Sequence, residues 1–337
     1  MRILIIQTAF IGDVILALPI AQKIKRCFPE SSIHFLLRAG NEGLLDNHLA
    51  IDRVWIWEKR KDKLLNLYKL IKELRQQQFD KVINVHRFLS SGLITALVGA
   101  RERVGFKNNP LSFLYTKKYP HIIGDKNSHN APNEVVRNLS LVAEWTDRQL
   151  ERPCVYPSEA DRETVLKYKN EKYIVVAPCS VWQTKQYPIE NWIKSLSLLE
   201  GKLMVYLIGS EGDREICETI GKGRLNYINF AGKLSLLQSA ALMEGAVRVI
   251  ANDSAPIHLA SAVNAPTTAI FCSTIPQFGF GPMSDDSEVV EYEGELACRP
   301  CGIHGFKQCP EGHFKCGKNI DIQRVVDRLL NGSSNVG

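Results

Sequence analysis

Four turns that follow apolar runs hold most of the residue types able to do chemistry in this chain. In residues 248–262 a short apolar run (Val249, Ile250, Ala251) stops at Asn252-Asp253-Ser254. A helix is expected next, with Asp253 or Ser254 as N-cap and Pro256 in its first turn, where a missing N–H costs nothing. A helix N-terminus offers N–H groups and partial positive charge to an anion. The segment reads either as a cradle for a phosphorylated ligand, with Asp253 and His258 as polar handles, or as a plain capped helix. The turn Gln7-Thr8-Ala9-Phe10-Ile11-Gly12-Asp13 is neither a Gly-x-Gly-x-x-Gly fingerprint nor a P-loop. It sets a carboxylate, Asp13, near a helix start, as a general base for an acceptor hydroxyl or as a cap. Residues 178–188 carry Ser180, Thr184 and Lys185, two hydroxyls and a point charge suited to phosphate, or simply an exposed loop. In Gly209-Ser210-Glu211-Gly212-Asp213, Glu211 or Asp213 can accept from ribose hydroxyls or cap a helix.

Those turns need strands to present them, and the hydrophobic pattern supplies strands. Strands are expected at 2–7, 32–37, 54–57 and 81–85, with helices at 13–27, 62–78, 91–98 and 133–145. The pattern weakens at 152–157, a linker with two prolines. After a helix at 159–169 it restarts, with strands at 173–177, 203–208, 228–229, 247–251 and 267–271. Helices interleave at 189–199, 214–220, 234–244, from 256, and at 321–330. Such alternation is α/β. The expectation is two Rossmann-like doubly wound lobes facing a central cleft, with boundaries at 1–155 and 156–320 and a terminal helix and tail at 321–337. The phosphate handles fall in the second lobe and the lone carboxylate in the first, which suits a nucleotide donor on one and an acceptor on the other.

The 337 residues are 45% hydrophobic and 23% charged, ordinary for a water-soluble globular protein. No apolar run approaches the ~18–20 residues of a membrane span. The N-terminus lacks a basic region and a cleavage site, so it reads as a strand and the protein as cytoplasmic. Charge is uneven: residues 1–160 hold 24 Lys and Arg against 16 Asp and Glu, whereas 161–337 hold 18 against 20. The basic runs Lys59-Arg60-Lys61, Arg101/Arg103/Lys107 and Lys117-Lys118 fit an anionic partner or a solvated surface. No nucleic-acid motif accompanies them, and no nucleic-acid partner is expected.

Taken together, Gly12-Asp13, Lys185-Gln186-Tyr187-Pro188, Gly209-Ser210-Glu211, Ala231-Gly232-Lys233-Leu234-Ser235-Leu236 and Asn252-Asp253-Ser254-Ala255-Pro256-Ile257-His258 resemble the lipopolysaccharide heptosyltransferases. These are the ADP-heptose-dependent GT-B glycosyltransferases of family 9. Phe278-Gly279-Phe280-Gly281-Pro282 and the late cysteines look most like the heptosyltransferase II branch. The resemblance implies an inverting transfer of heptose from ADP-heptose to the lipopolysaccharide inner core, with no catalytic cofactor or metal. The first lobe would bind the acceptor and the second the ADP-sugar. Asp13 would be the base, and Lys185 would stabilise the diphosphate, helped by Ser180 and by N–H groups near Ser254 and Ala255. Glu211 would hold ribose, Asp253 the heptose hydroxyls, and His258 the sugar or phosphate. His86, Arg87, Arg101 and Arg103 would meet the acidic acceptor. That acceptor is lipid-linked, which implies peripheral association at the inner face of the inner membrane. Cys179 stands where the family often has glycine, and Gln186 where arginine is commoner.

Cys298, Cys301, Cys309 and Cys316 form a C-x2-C-x7-C-x6-C pattern, which suggests a structural zinc site, disulfides, or buried thiols. Two alternatives to the main reading stay open: a GT-B transferase using another nucleotide sugar, and a nucleotide-sugar epimerase. A third is a non-enzymatic anion-binding protein.

Overall fold

Unbroken apolar runs such as Ile3-Leu4-Ile5-Ile6, all without solvent exposure, mark strands covered on both faces. The computed structural model describes residues 1–59, 62–128, 130–224 and 226–330. Within these the chain divides into two compact units. One comprises Met1–Ile123 with Pro132–Tyr156, and the other Gly124–Ala131 with the chain from Pro157 onward. Each is built on a parallel six-stranded sheet.

In the first unit the chain runs β1 (Arg2–Ile6), α1 (Ile11–Cys27), β2 (Ser32–Arg38), β3 (Arg53–Trp57), α2 (Lys63–Gln76), β4 (Lys81–Asn84), α3 (Leu89–Leu97), β5 (Glu102–Phe106), β6 (Lys117–Tyr119) and α4 (Glu134–Leu139). The sheet order is β3-β2-β1-β4-β5-β6. One core cluster joins Leu4, Ile6, Leu36 and Val82 of the sheet to Leu67, Leu70 and Leu74 of α2 and Ile94 of α3. Those three leucines of α2 recur at helical spacing, so one face of that helix is buried.

The second unit runs α5 (Glu159–Leu166), β7 (Tyr173–Ala177), α6 (Ile189–Ser197), β8 (Met204–Leu207), α7 (Arg214–Gly221), β9 (Tyr227–Asn229), α8 (Leu236–Met243), β10 (Arg248–Asn252), α9 (Ala255–Ala262), β11 (Thr267–Phe271), β12 (Ser287–Glu291), α10 (Lys315–Lys318) and α11 (Ile322–Leu330). Its order, β12-β11-β10-β7-β8-β9, is the same doubly wound topology. Val325 and Val326 of α11 pack with Trp192 and Leu196 of α6, so the terminal helix belongs to this core.

Three strands were not expected from the sequence. β5, β6 and β12 lie toward the sheet rims, and β6 (Lys117–Tyr119) and β12 (Ser287–Glu291) are edge strands rich in charge. Charged side chains are common on edges, where they discourage pairing with other chains. The expected helix at 133–145 is shorter, ending at Leu139 before a run of turns. Of the basic run Lys59-Arg60-Lys61, Arg60 and Lys61 lie outside the described residues, as do 331–337 of the expected tail.

The strand orders reverse between β1 and β4 in one sheet and between β7 and β10 in the other. At such a switch point the two crossovers depart to opposite faces and leave a crevice beyond the carboxyl ends of the strands.

Candidate active site

The first switch point collects the residues after β1 and β4. α1 begins at Ile11, with Phe10 as an N-cap that has no side chain to cap with. Asp13 takes over that task from the third helical position, accepting the Phe10 N–H. Burial, and then the charge of Glu134, push the Asp13 carboxyl up to about 6, against the pull of that N–H and of Arg87. A carboxylate with such a value is a stronger base than an exposed one and is still ionised at neutral pH.

Around Asp13 the turn is braced by polar contacts. Thr8 Oγ1 lies 2.9 Å from His86 Nδ1, and Lys59 Nζ donates to the Thr8 carbonyl at 2.7 Å. Burial, then Lys59 and Arg87, bring the His86 ring down to about 3. His86 is therefore a neutral ring at working pH, able to share a hydrogen bond but not to neutralise a phosphate. Burial, and then Arg38 and Lys63, lower Lys59 to about 8.

Arg87 is partly exposed, and its Nη1 lies 3.4 Å from His121 Nδ1. The His121 Nε2 atom is 3.0 and 3.1 Å from the two Glu134 oxygens. Arg137 reaches Glu134 Oε2 through Nε and Nη2, each at 2.7 Å. Burial opposes the Glu134 charge, but the hydrogen bond and charge of His121, and then Arg137, hold it below the usual carboxylate range.

Arg101 and Arg103 do not join this group. Gly105 of β5 is in register with Asn84 of β4 and Ile6 of β1, so the two arginines lie toward the opposite, amino end of the sheet. Arg103 there donates to the carbonyls of Leu114 and Ala100. Neither arginine therefore stands at the first switch point.

The second switch point brings together the loop after β7 and the segment after β10. Asn252, fully buried, fastens them: its Nδ2 donates to the Pro178 carbonyl and its Oδ1 accepts the Tyr187 N–H at 2.9 Å. Lys185 Nζ then lies 2.6 Å from Asp253 Oδ2, and Thr274 Oγ1 donates to the same oxygen at 2.6 Å. Ser254 is the N-cap of α9, but its hydroxyl reaches the Cys179 and Asn252 carbonyls instead of capping the helix. His258 is buried one turn into α9. Ser180 is partly exposed, and its carbonyl accepts from Gln186 Nε2 at 2.7 Å.

Thr184 departs from expectation. It is buried, and its Oγ1 accepts from the Phe306 N–H at 2.8 Å and from Ser273 Oγ at 3.0 Å. Its hydroxyl anchors the Lys185 turn and is not offered to a phosphate. At the rim of the unit, Asp213 is engaged by the Ser210 N–H and hydroxyl in a capping box. Glu211 stays exposed, paired with Arg214 at 2.8 Å. Gly232, at φ +74°, lies so close to Glu211 that a Cβ there would fall 1.9 Å from Oε2, so only glycine fits.

The cysteine segment has a different task from the one its spacing suggests. All nine cysteines are free. Among the described residues no three His, Cys, Asp or Glu side chains gather so as to hold a metal ion, so the zinc reading finds no site. The segment instead straps the end of β11. Arg299 donates to the carbonyls of Cys272 and Thr274 and to Glu291, and the Cys301 N–H donates to the Ser273 carbonyl. Gly305, at φ +75°, comes so near that a Cβ would meet Thr184 Oγ1 at 2.9 Å and Lys185 Cγ at 3.1 Å. Asn252, Thr274 and Arg299 thus position Lys185 and Asp253, although sequence reasoning gave them no part. Asn252 carried a signal, as a buried-strand terminus next to the acid; the other two carried none.

Comparison with known proteins matches residues 67–309 to a family described as glycosyltransferase family 9 (heptosyltransferase). The chain is 27% identical over 319 residues to lipopolysaccharide heptosyltransferase 1 of Pseudomonas aeruginosa, covering 89% of this chain and 86% of that one. It is 25% identical over 341 residues to lipopolysaccharide heptosyltransferase 3 of Escherichia coli, covering 96% and 98%. Its fold is similar to the solved E. coli ADP-heptose lps heptosyltransferase II, with a TM-score of 0.80 at 20% identity over 98% of each chain.

Proposed function

From the premise that this chain belongs to glycosyltransferase family 9 (heptosyltransferase), we propose that it moves heptose from ADP-heptose to the inner core of lipopolysaccharide. In this proposal the transfer inverts the anomeric carbon, uses no metal, and takes an acceptor of the heptosyltransferase II kind. The first unit serves the acceptor and the second the donor.

The observation that carries the chemistry is Asp13, a desolvated carboxylate at the first switch point with its pKa raised to about 6. The acceptor hydroxyl attacks the anomeric carbon, Asp13 takes its proton, and the bond to the diphosphate breaks with its electron pair leaving on ADP. Charge then develops on the diphosphate. Lys185, Ser180 and the N–H groups at Ser254 and Ala255 meet it with preorganised positive potential. Asp253 accepts from heptose hydroxyls, His258 supports the sugar or phosphate, and Glu211 accepts from ribose. Arg87 meets the acidic acceptor.

Because that acceptor is lipid-linked, the proposal has the protein working peripherally at the cytoplasmic face of the inner membrane. No helix among the described residues is long and apolar enough to cross a membrane. Salt should weaken its binding to anionic acceptor vesicles, since exposed charges are screened.

The test offers ADP-heptose with lipid-linked acceptors awaiting their first, second or third heptose, and follows ADP release and product mass. ADP release that needs an acceptor, with one heptose added to the acceptor awaiting its second, is the expected result. Release without acceptor dependence overturns the transferase reading. Preference for either other acceptor overturns the heptosyltransferase II assignment.

A further inference from the structure

The buried cluster behind Asp13 has no part in the transfer as described. α4 packs along α1, and Asn138 Nδ2 donates to the Leu16 carbonyl at 2.9 Å. Farther along, Lys23 pairs with Asp147 and Arg26 with Glu151, so the two segments run the same way; about one turn back on each helix stand Glu134 and Asp13, which puts two carboxylates at one end of the pair. Like charges in a desolvated region each make the other harder to ionise. Glu134 is the member fixed as the anion. Arg137 grips one oxygen with two N–H groups, and His121 lies against both. Arg87, a donor only, sits at His121 Nδ1. Glu134 being the acceptor, the His121 Nε2–H is the donor directed at it.

We propose that Glu134 is a positioning residue acting through Asp13: its locked, buried negative charge keeps Asp13 basic enough to accept a proton from the acceptor hydroxyl near neutral pH. The proposal rests on Asp13 as the base. The electrostatics of the site agree: after burial, Glu134 raises Asp13 most, and Arg87 opposes it. Without Glu134, Asp13 would ionise more readily and pull less strongly on the hydroxyl proton, because a base works best when matched to the working pH. The charged and titratable groups facing this pair are few. Glu134 comes from α4 and Arg87 from the segment after β4, with His121 and Arg137 on the far side of Glu134. His86 and Lys59 border the same turn through Thr8.

The test follows the Asp13 carboxyl carbon by NMR in aspartate-labelled protein, assigned by its loss in Asp13→Asn, alongside the pH dependence of kcat. In Glu134→Gln the Asp13 midpoint should fall by about one pH unit, the size of effect a close like charge exerts. The acid limb of kcat should fall with it. Glu134→Asp, which keeps the charge, should restore most of the wild-type midpoint. Should Glu134→Gln leave Arg137 too poorly paired to fold, the double variant with Arg137→Gln removes the ion pair as a unit and should show the same downward shift. An unchanged Asp13 midpoint in the folded variant overturns the proposal. A midpoint that moves while the kcat limb stays still upholds the action of Glu134 on Asp13 and strikes out Asp13 as the base.

Discussion

Asp13 and Asp253 both border a switch point beyond the carboxyl ends of a parallel sheet, and their surroundings treat them in opposite ways. Asp253 has a lysine ammonium and a threonine hydroxyl on one oxygen, each at 2.6 Å. Its charge is answered, so it is suited to accepting hydrogen bonds from a polyol and to holding Lys185 in place. Asp13 is held by a backbone N–H and faces a second buried carboxylate, Glu134. Its charge is resisted, so it is suited to gaining a proton. In our proposal the same residue type serves as a fixed acceptor in one unit and a base in the other, with burial first and neighbouring charge second setting Asp13 apart.

The largest effect that could break this contrast is on turnover. Asp13→Asn should lower acceptor-dependent ADP release about a thousandfold, within the range general-base removal spans. A rate near wild type would erase the distinction between the two acids. Lys185→Gln should lower kcat about a hundredfold, the scale of losing one preorganised charge partner of the transition state. A change confined to KM would move Lys185 from leaving-group stabilisation to simple binding.

Stability sharpens the contrast, because the two asparagine variants should move melting temperature in opposite directions. Asp253→Asn leaves Lys185, only 14% exposed, without its counter-charge, a loss of about 3 kcal/mol or more at neutral pH. Asp13→Asn should gain stability instead. An acid raised from 3.8 to about 6 binds its proton more tightly folded than unfolded. The resulting penalty on the wild type is absent below the unfolded value, grows between the two, and is complete above pH 6. Its removal is worth at most about 3 kcal/mol, since one pKa unit is ~1.4 kcal/mol. Calorimetry at pH 7.5 and pH 4 should show the gain at the first and little of it at the second. The smallest effect is expected for Gly305→Ala. Its methyl at positive φ would press on Thr184 and Lys185, at a stability cost of about 1 kcal/mol and a severalfold loss of kcat.

Much of the fold could be read from the chain because buried parallel strands are unbroken apolar runs and their helices carry apolar stripes. The strands that escaped sit toward the rims, where Lys117, Lys118, Glu288 and Glu291 interrupt the pattern. Missing β5 left open which end of a strand Arg101 and Arg103 occupy. Asp13, Lys185 and Asp253 were legible as candidates because each lies in the connection that follows a parallel strand. The His121-Glu134-Arg137 cluster was not, since it joins the end of β6 to the start of a helix 13 residues later, and neither piece looks unusual alone. Thr184 and the cysteines show the reverse error. Their types suggested ligands, but Thr184 Oγ1 takes the Phe306 N–H and the Ser273 hydroxyl, and the cysteine segment holds the end of β11 through Arg299 and the Cys301 N–H.

The short segment Gly124–Ala131 belongs with the second unit although the chain on both sides of it builds the first. A Cβ on Gly124 would fall 2.3 Å from the Gln277 carbonyl oxygen, which is how tightly that segment is seated. During synthesis these eight residues leave the ribosome before any strand of the sheet they join has been made, and they must wait for it while the first unit closes around its own last helix. Neither half is therefore a single continuous stretch of gene. A chimaera between relatives that exchanges the halves at residue 156 alone would leave a foreign piece, residues 124–131, in the second unit, so a working exchange has to move three joints together.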